Sequence, residues 1–360
     1  MAWSAVKAIF WKRQRRLAQP AFHRDRIAAY ADAMTGFTER MLDRWQNGET
    51  KDIHRGMMGL TLEIVAKTLF GADVAGVAEE VGAALEVAMD RMSGQNTWIR
   101  LIDNYVPTPG RYRFERAVKR LDKVIYEIIR QRRASGDDQG DLLSMLLAAQ
   151  DEDGSQMTDR QLRDEVMTLF LAGHETTALT LSWTWHLLAK HPEIEAALLS
   201  ELQSVLGGRT PTIGDLGQLR YTEKIIKESM RLYPPAWSIG REALTDCKIG
   251  GYHVAAGTQV FMIQWTMHRD PRYFASPDQF DPDRWDNDFE KTIPKYAYFP
   301  FGGGPRQCIG NSFAMMEAML LLAAIAQRAK LEAAPGPAVV PAPSVTLRPK
   351  NGITMTIQKR

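Results

Sequence analysis

The sequence predicts a mainly α-helical fold carrying small β-sheets. Three observations lead there. Apolar residues recur at helical spacing through the first two thirds of the chain, strand character is confined to the part after Pro234-Pro235, and one helical pattern, Thr158 to Lys190, is long enough to cross a whole domain. With 360 residues, 45% apolar and 24% charged, the chain has a globular balance that excludes disordered and collagen-like classes. No repeat, low-complexity linker or composition shift divides it, so residues 1–360 read as a single domain.

The first helical pattern runs from Ser4 to Gln19 and stops before Pro20, with Lys12, Arg13, Arg15 and Arg16 forming a basic cluster. Trp11 and Arg15 are four apart and share one side; a solvated basic face over a packed tryptophan accounts for the segment taken alone. Ile27, Tyr30, Met34, Phe37, Met41, Leu42 and Trp45 mark a core-facing helix stopped by Asn47-Gly48, and further helices follow over Asp52–Phe70 and Val74–Met92. Val106-Pro107-Thr108-Pro109-Gly110 breaks the chain before a basic amphipathic helix, Phe114 to Arg133, which a solvated face explains more simply than a membrane surface or a calmodulin-like partner.

After an acidic turn at Asp151–Ser155, Thr158 and Gln161 form a capping-box signature that opens the long helix, and His191-Pro192 ends it. Helices over Pro192–Leu206 and Tyr221–Leu232 complete the helical part. Lys248 to Val254 then reads as two short strands about Gly250-Gly251, and Thr258 to Ile263 as a third. His268 to Pro300 is long and irregular, a length that compact domains keep only for a purpose. The tail from Pro335 is proline-rich and then β-like, with Asn351-Gly352 as a hairpin turn. Cys247, in a strand, is expected to be buried, and His174, His253 and His268 to be ordinary polar residues.

Two cysteines fit a reducing compartment and give no disulfide framework, which points to the cytoplasm. Forty-five Lys and Arg against 43 Asp and Glu give no argument for a nucleic-acid partner. No apolar run reaches the roughly 18 residues of a membrane span.

Chemistry concentrates in two stretches. Pro300 to Gly310 reads Pro-Phe-Gly-Gly-Gly-Pro-Arg-Gln-Cys-Ile-Gly, followed by an apolar helical run from Ile309 to Ala329. Glycines bend the backbone before Cys308, the helix start favours its anionic form, and Arg306 adds positive charge, so Cys308 reads as a metal-ligating thiolate rather than a buried free cysteine. The second stretch, Ala172-Gly173-His174-Glu175-Thr176-Thr177, puts a glycine and two threonines in the middle of the longest helix. Such a local violation suggests a functional site, although a close-packed neighbour and back-bonded threonines would also explain it. His174-Glu175 begins a zinc-hydrolase pattern, but Ala178 replaces its second histidine, which rejects that chemistry.

The spacing of Phe301, Gly304, Arg306, Cys308 and Gly310 resembles the haem-binding loop of the cytochrome P450 family, the haem-thiolate monooxygenases. The resemblance implies a P450-like fold with the long helix over haem b, Cys308 as its axial ligand, and Phe301, Gly302 and Gly310 shaping the loop. It makes Arg306, Trp11, Arg15 and Arg241 candidate partners of the haem propionates. Ala172 to Thr176 is similar to the family's oxygen-activation motif. Gly173 would let the macrocycle and dioxygen approach, Thr176 would hydrogen-bond dioxygen or its water, and Glu175 would relay protons from solvent. Glu228 and Arg231, three apart on a helix, would be joined by Arg284 in a structural triad that anchors the cysteine loop.

The activity so implied is insertion of one oxygen atom from O2 into a hydrophobic small molecule. Phe170, Leu171, Ala172, Trp237, Ile239 and parts of Val74–Met92 would form the pocket wall. A separate ferredoxin or flavoprotein reductase would supply electrons, with the basic helix at Trp11–Arg16 available for docking. The protein is expected to be a monomer. A peroxide-driven peroxygenase and a haem-binding scaffold without turnover are the rival functions. Family members carry several dozen residues ahead of the Trp11 helix, whereas here it begins almost at Met1, so the chain reads as truncated, minimal or redesigned.

Overall fold

The computed structural model describes residues 8–71, 78–92, 108–150 and 156–360. Ten helices described there precede most of the strands: α1 (Ala8–Ala18), α2 (Arg24–Ala28), α3 (Ala31–Asp43), α4 (Ile53–Phe70), α5 (Ala78–Met92), α6 (Pro109–Ser135), α7 (Leu142–Ala148), α8 (Asp159–Leu188), α9 (Pro192–Leu206) and α10 (Arg220–Leu232). Short α11 (Gln264–Met267) and α12 (Phe289–Thr292) lie along the irregular stretch, and α13 (Asn311–Arg328) follows the cysteine loop. The expected helix starts at Ser4 and Val74, the Asp151–Ser155 turn, and Val106-Pro107 fall outside the described residues.

Two helix boundaries differ from the sequence expectation. The pattern from Ile27 to Trp45 is divided between α2 and α3 at Ala29-Tyr30. Pro109, taken as a breaker, is instead the first residue of α6. There its missing N–H costs nothing, and Thr108 Oγ1 caps the turn by accepting from Arg111 N at 3.2 Å.

The long helix α8 opens on the expected capping box, with Thr158 N donating to Gln161 Oε1 at 2.9 Å and Gln161 N to Thr158 Oγ1 at 3.3 Å. Its 30 residues span about 45 Å. From Thr177 to Leu188 every residue is buried. The hydroxyls of Thr180, Ser182 and Thr184 donate to carbonyls four residues back at 3.0, 2.6 and 2.7 Å, so the helix crosses the core without stranding them. One hydrophobic cluster surrounds it, from Ala18 to Ile357, while Phe274, Trp285, Ala297 and Tyr298 form a second beneath the irregular stretch.

The strands make four small antiparallel sheets. β9 (Thr354–Lys359) lies between β1 (Thr50–Asp52) and β6 (Ala329–Ala333); β2 (Ser238–Glu242) pairs with β5 (Gln259–Ile263), β3 (Cys247–Ile249) with β4 (Tyr252–Val254), and β7 (Pro341–Pro343) with β8 (Leu347–Pro349). Three expectations are corrected here. Strand character is not confined to the part after Pro234-Pro235, since β1 lies ahead of α4 and pairs with β9. Asn351-Gly352 does not close a hairpin, because β8 and β9 belong to different sheets; Gly352, at φ 71°, carries the chain from one to the other. Cys247 is exposed, since every residue of β3 is exposed in its two-stranded hairpin. Among the described residues no helix is long and apolar enough to cross a membrane.

Candidate functional site

The cysteine loop is fixed by its own backbone. Gly302 and Gly304 take left-handed φ values of 71° and 65°, and a Cβ on Gly303 would collide with the Tyr296 ring at 2.5 Å. Gly302 N donates to Phe299 O at 2.9 Å, and Cys308 N to Phe301 O at 2.9 Å, which turns the thiol outward just before α13. Phe22 packs within 3.6 Å of where a Gly310 Cβ would stand, so the Pro20–Phe22 turn closes one side. Cys308 is solvent-accessible yet recessed. Burial pushes its thiol pKa up, while a hydrogen bond with the Gly310 backbone and the charge of Arg15 pull it down.

Behind the loop sits the expected carboxylate with its two arginines. Glu228 and Arg231, fully buried on α10, form a bidentate pair, with Arg231 Nη2 and Nε at 2.8 and 2.9 Å from the two carboxylate oxygens. Arg284 Nε reaches Glu228 Oε1 at 3.3 Å, and Trp285 Nε1 donates to Oε2 at 3.0 Å. Arg231 Nη1 donates to His268 O at 2.9 Å, and the His268 ring accepts at Nε2 from Phe299 N at 3.0 Å. A chain of hydrogen bonds therefore runs from the triad into the cysteine loop. His268 is thus more than the ordinary polar residue expected. Burial, then the charges of Arg231 and Arg269, push its pKa down to about 3, which keeps the ring neutral and able to accept. Gln264 Nε2 holds Phe299 O from the other side. No spacing in the sequence marks either residue.

Three guanidinium groups gather at the mouth of the loop. Arg15 Nη1 donates to Gln307 O at 2.6 Å, and the Arg15 and Arg306 guanidiniums lie 5.7 and 4.1 Å from the centre of the buried Trp11 ring. Burial and then the charge of Arg241 push the Arg306 pKa down, which places Arg241 close enough to repel it. Arg241 itself donates to Gly240 O at 2.8 Å. Like charges crowded beside a recessed thiol call for an anionic partner.

On α8, Ala172 is exposed and Thr176 half-buried, one turn apart on a common face. Thr176 Oγ1 donates to Ala172 O at 2.8 Å, leaving its lone pairs able to accept. Glu175 points elsewhere. It is only 1% exposed, and its Oε1 accepts from Thr346 Oγ1 at 2.8 Å and from Arg348 Nε at 2.6 Å. The sequence assigned Glu175 to a solvent relay, and the structure pairs it with a strand near the carboxy terminus. Gly173 also has a protein neighbour on α4. A Cβ there would stand 3.0 Å from Val65 Cγ2 on α4, so the missing side chain admits the close approach of a neighbouring helix.

A cavity of about 470 Å³ also borders the loop, lined by Gly302–Gly304, Gln307, Tyr296 and Met319 among others. Neither Cys308 nor Thr176 lines it, so it is a recess separate from the reactive groups. Among the described residues no three His, Cys, Asp or Glu side chains gather as a metal-binding group. A single thiolate with several cations for peripheral carboxylates fits a haem, its propionates relieving the crowding of Arg15, Arg241 and Arg306.

The profile of the family described as Cytochrome P450 matches residues 6–356. The chain is 41% identical over 339 residues to cyclooctatin synthase of Streptomyces melanosporofaciens, covering 93% of this chain and 74% of that protein. It is also 41% identical over 326 residues to cyclooctat-9-en-7-ol 5-monooxygenase of the same organism, covering 90% and 71%. Pentalenene oxygenase of Streptomyces avermitilis is 35% identical, with 93% and 75% covered. Among solved structures, the haem domain of cytochrome P450DA superposes with a TM-score of 0.87 at 29% identity, over 96% of this chain and 76% of that one.

Proposed function

Because the chain belongs to the cytochrome P450 family, its enzyme class is that of a P450-type oxidoreductase, and we propose that it inserts one oxygen atom of O2 into a hydrophobic small molecule within a single haem domain. The observation that carries this reading is the recessed thiol of Cys308 beside the Arg15, Arg241 and Arg306 cluster. Haem b, which Cys308 would hold through its sulfur, would supply dioxygen binding and reductive activation. The protein's own residues do the rest. Arg306, Arg15 and Arg241, with Trp11, hold the carboxylates of the group. Phe301, Gly302 and Gly310 shape its bed. Small Ala172 would leave room beside the group, and Thr176, its Oγ1 donating to Ala172 O, would accept from and orient a water.

The reaction balances as substrate C–H, O2, two electrons and two protons giving C–OH and water. The electrons require a one-electron protein donor, a ferredoxin or a flavoprotein, in the cytoplasm. Exposed Lys12, next to Trp11 on α1, offers basic surface for that docking. Two relatives carry the names of an unsaturated alcohol and an alkene, which favours a hydrocarbon-like substrate.

The test is the spectrum of the reduced, carbon monoxide-bound protein. A strongly red-shifted Soret band is expected and should vanish in Cys308→Ala; its absence from folded, haem-loaded protein would sink the assignment. Thr176→Ala should keep that band while product per NADPH falls roughly tenfold or more. Retained coupling would remove Thr176 from proton handling.

A further inference from the structure

The outer face of α6 carries a row of residues that the reading above does not use. Tyr112, Arg116, Lys119, Lys123, Tyr126, Arg130 and Arg133 follow one another at alternating steps of four and three, which sets them in one line along about 30 Å of helix. All seven are exposed. The opposite face, with Ala117, Leu121, Ile125 and Ile129 buried, packs against α5 and α8, so the row points away from the body of the protein. Tyr112 and Tyr126, 59% and 38% exposed, are too open for packing to explain them.

Charge sets this helix apart. Its 27 residues hold nine Lys and Arg against three Asp and Glu, a net charge of +6, whereas the whole chain carries +2, so everything else sums to −4. A solvated helix ordinarily interleaves the two signs, because like charges three and four apart repel. Here the acids are drawn off the row. Glu115 Oε1 accepts from Arg111 Nε at 2.7 Å, and Asp122 Oδ1 from Arg163 Nε of α8 at 2.6 Å. Glu127 pairs with Arg130 and accepts from Gln131 Nε2 at 2.9 Å, and Arg133 reaches Asp159 at 2.7 Å. That leaves Arg116, Lys119 and Lys123, in the middle of the row, with no side-chain hydrogen bond or ion pair among the described residues.

We propose that this row docks the protein on an anionic lipid bilayer, with Arg116, Lys119 and Lys123 meeting the phosphates and carboxylates of the headgroups and Tyr112 and Tyr126 lying at the interface on either side of them. Lipid fits better than other polyanions. The row is straight and convex, suits a plane rather than a groove, and has no aliphatic side chain to insert, so it rests on the headgroups. It carries no Asn or Gln to read bases. An electron donor must approach the cysteine loop, which residues of α1, α10 and α11 hold, whereas α6 packs on α5, α7 and α8. Docking of this kind needs no turnover and stands apart from the oxygen-insertion reading.

The test is sedimentation of the haem-loaded protein with vesicles of phosphatidylcholine alone or of phosphatidylcholine mixed with phosphatidylserine. Binding is expected to the mixed vesicles, weakening steeply as salt is raised, and not to phosphatidylcholine alone. Each cation near such a surface is worth about fivefold in binding, so Arg116→Gln, Lys119→Gln and Lys123→Gln together should weaken it on the order of a hundredfold. Lys119→Glu alone, which reverses the central charge and keeps the other two, should cost about 25-fold and serves as the check if the triple variant fails to fold. Removing the same charge elsewhere, with Lys248→Gln, Lys350→Gln and Lys359→Gln, should cost far less. Equal losses in the two triple variants would assign the attraction to net charge and overturn the row. Equal binding to both vesicles, or binding to neither, would overturn it too. If the row instead holds polyuridylate or an acidic ferredoxin while vesicles are ignored, its partner is a macromolecule and the lipid proposal fails.

Discussion

The two halves of the site are built on different principles. The cysteine side is local: eleven residues from Pro300 to Gly310 bend themselves, and Arg231, His268 and Gln264 grip Phe299 and the segments beside it. The oxygen side is assembled at long range, with α8 supplying Ala172, Glu175 and Thr176 while the partners of Glu175 come from β8 and its turn. A loop that must present one sulfur tolerates little motion, so its restraints are dense. The Glu175 side is held instead by a few polar contacts between segments far apart in the chain.

The largest expected effect is on the dense side. Arg231→Lys leaves one ammonium where a planar fork satisfied Glu228 and three carbonyls, those of His268, Pro277 and Gln279. Breaking such a buried pair costs roughly 3–5 kcal/mol. Denaturant unfolding should show that loss, together with reduced haem retention. A variant as stable as the wild type, with its Soret band unchanged, would mean that the cysteine loop holds itself without the triad.

This contrast also explains what could be read from the sequence. The loop, the capping box of α8 and the Glu228–Arg231 spacing are short-range patterns, and they were legible. The fate of Glu175 was not, because nothing near it announces Arg348. The bidentate contact of Arg132 with Asp141, at 2.6 and 2.7 Å, which joins the end of α6 to α7, was missed for a related reason. It sat in a helix read as a solvated basic face. Cys247 failed differently: strand character was read correctly, but whether a hairpin is covered depends on layers that periodicity does not report. Gly173 is anomalous in the sequence, but its contact with Val65 on α4 is not legible there, since a missing Cβ does not say which side it faces.

A middle-sized effect belongs to the seam between the halves. Glu317 on α13 is fully buried, and its carboxyl oxygens find no partner of normal hydrogen-bond geometry among the described residues. Burial raises its pKa to about 8, which the Thr177 hydroxyl on α8 only partly offsets. The folded state therefore holds a proton that the unfolded chain releases near pH 4.5, so stability declines as pH rises from there to about 8 and then levels off. At about 1.4 kcal/mol per pKa unit the decline is on the order of a few kcal/mol. Glu317→Gln should flatten this slope, its melting temperature matching the wild type near pH 5 and exceeding it near pH 9. Parallel curves would show that Glu317 is ionised in place and that the seam is wetter than its burial indicates.

The smallest effect tests the distal side. Gly173→Ala gains about 1 kcal/mol of helix propensity. It also drives a methyl against Val65, 3.0 Å away, where overpacking typically costs roughly 1–3 kcal/mol. A net destabilisation of about 1 kcal/mol is expected, and placing the same substitution in a Val65→Ala background should reverse its sign, because the propensity gain survives while the clash does not. If Gly173→Ala costs the same in both backgrounds yet weakens haem binding, the space at Gly173 belongs to the cofactor. If the sign reverses and haem binding holds, the glycine serves the contact of α4 with α8, and on this side of the site only Ala172 and Thr176, of the motif's residues, face the chemistry.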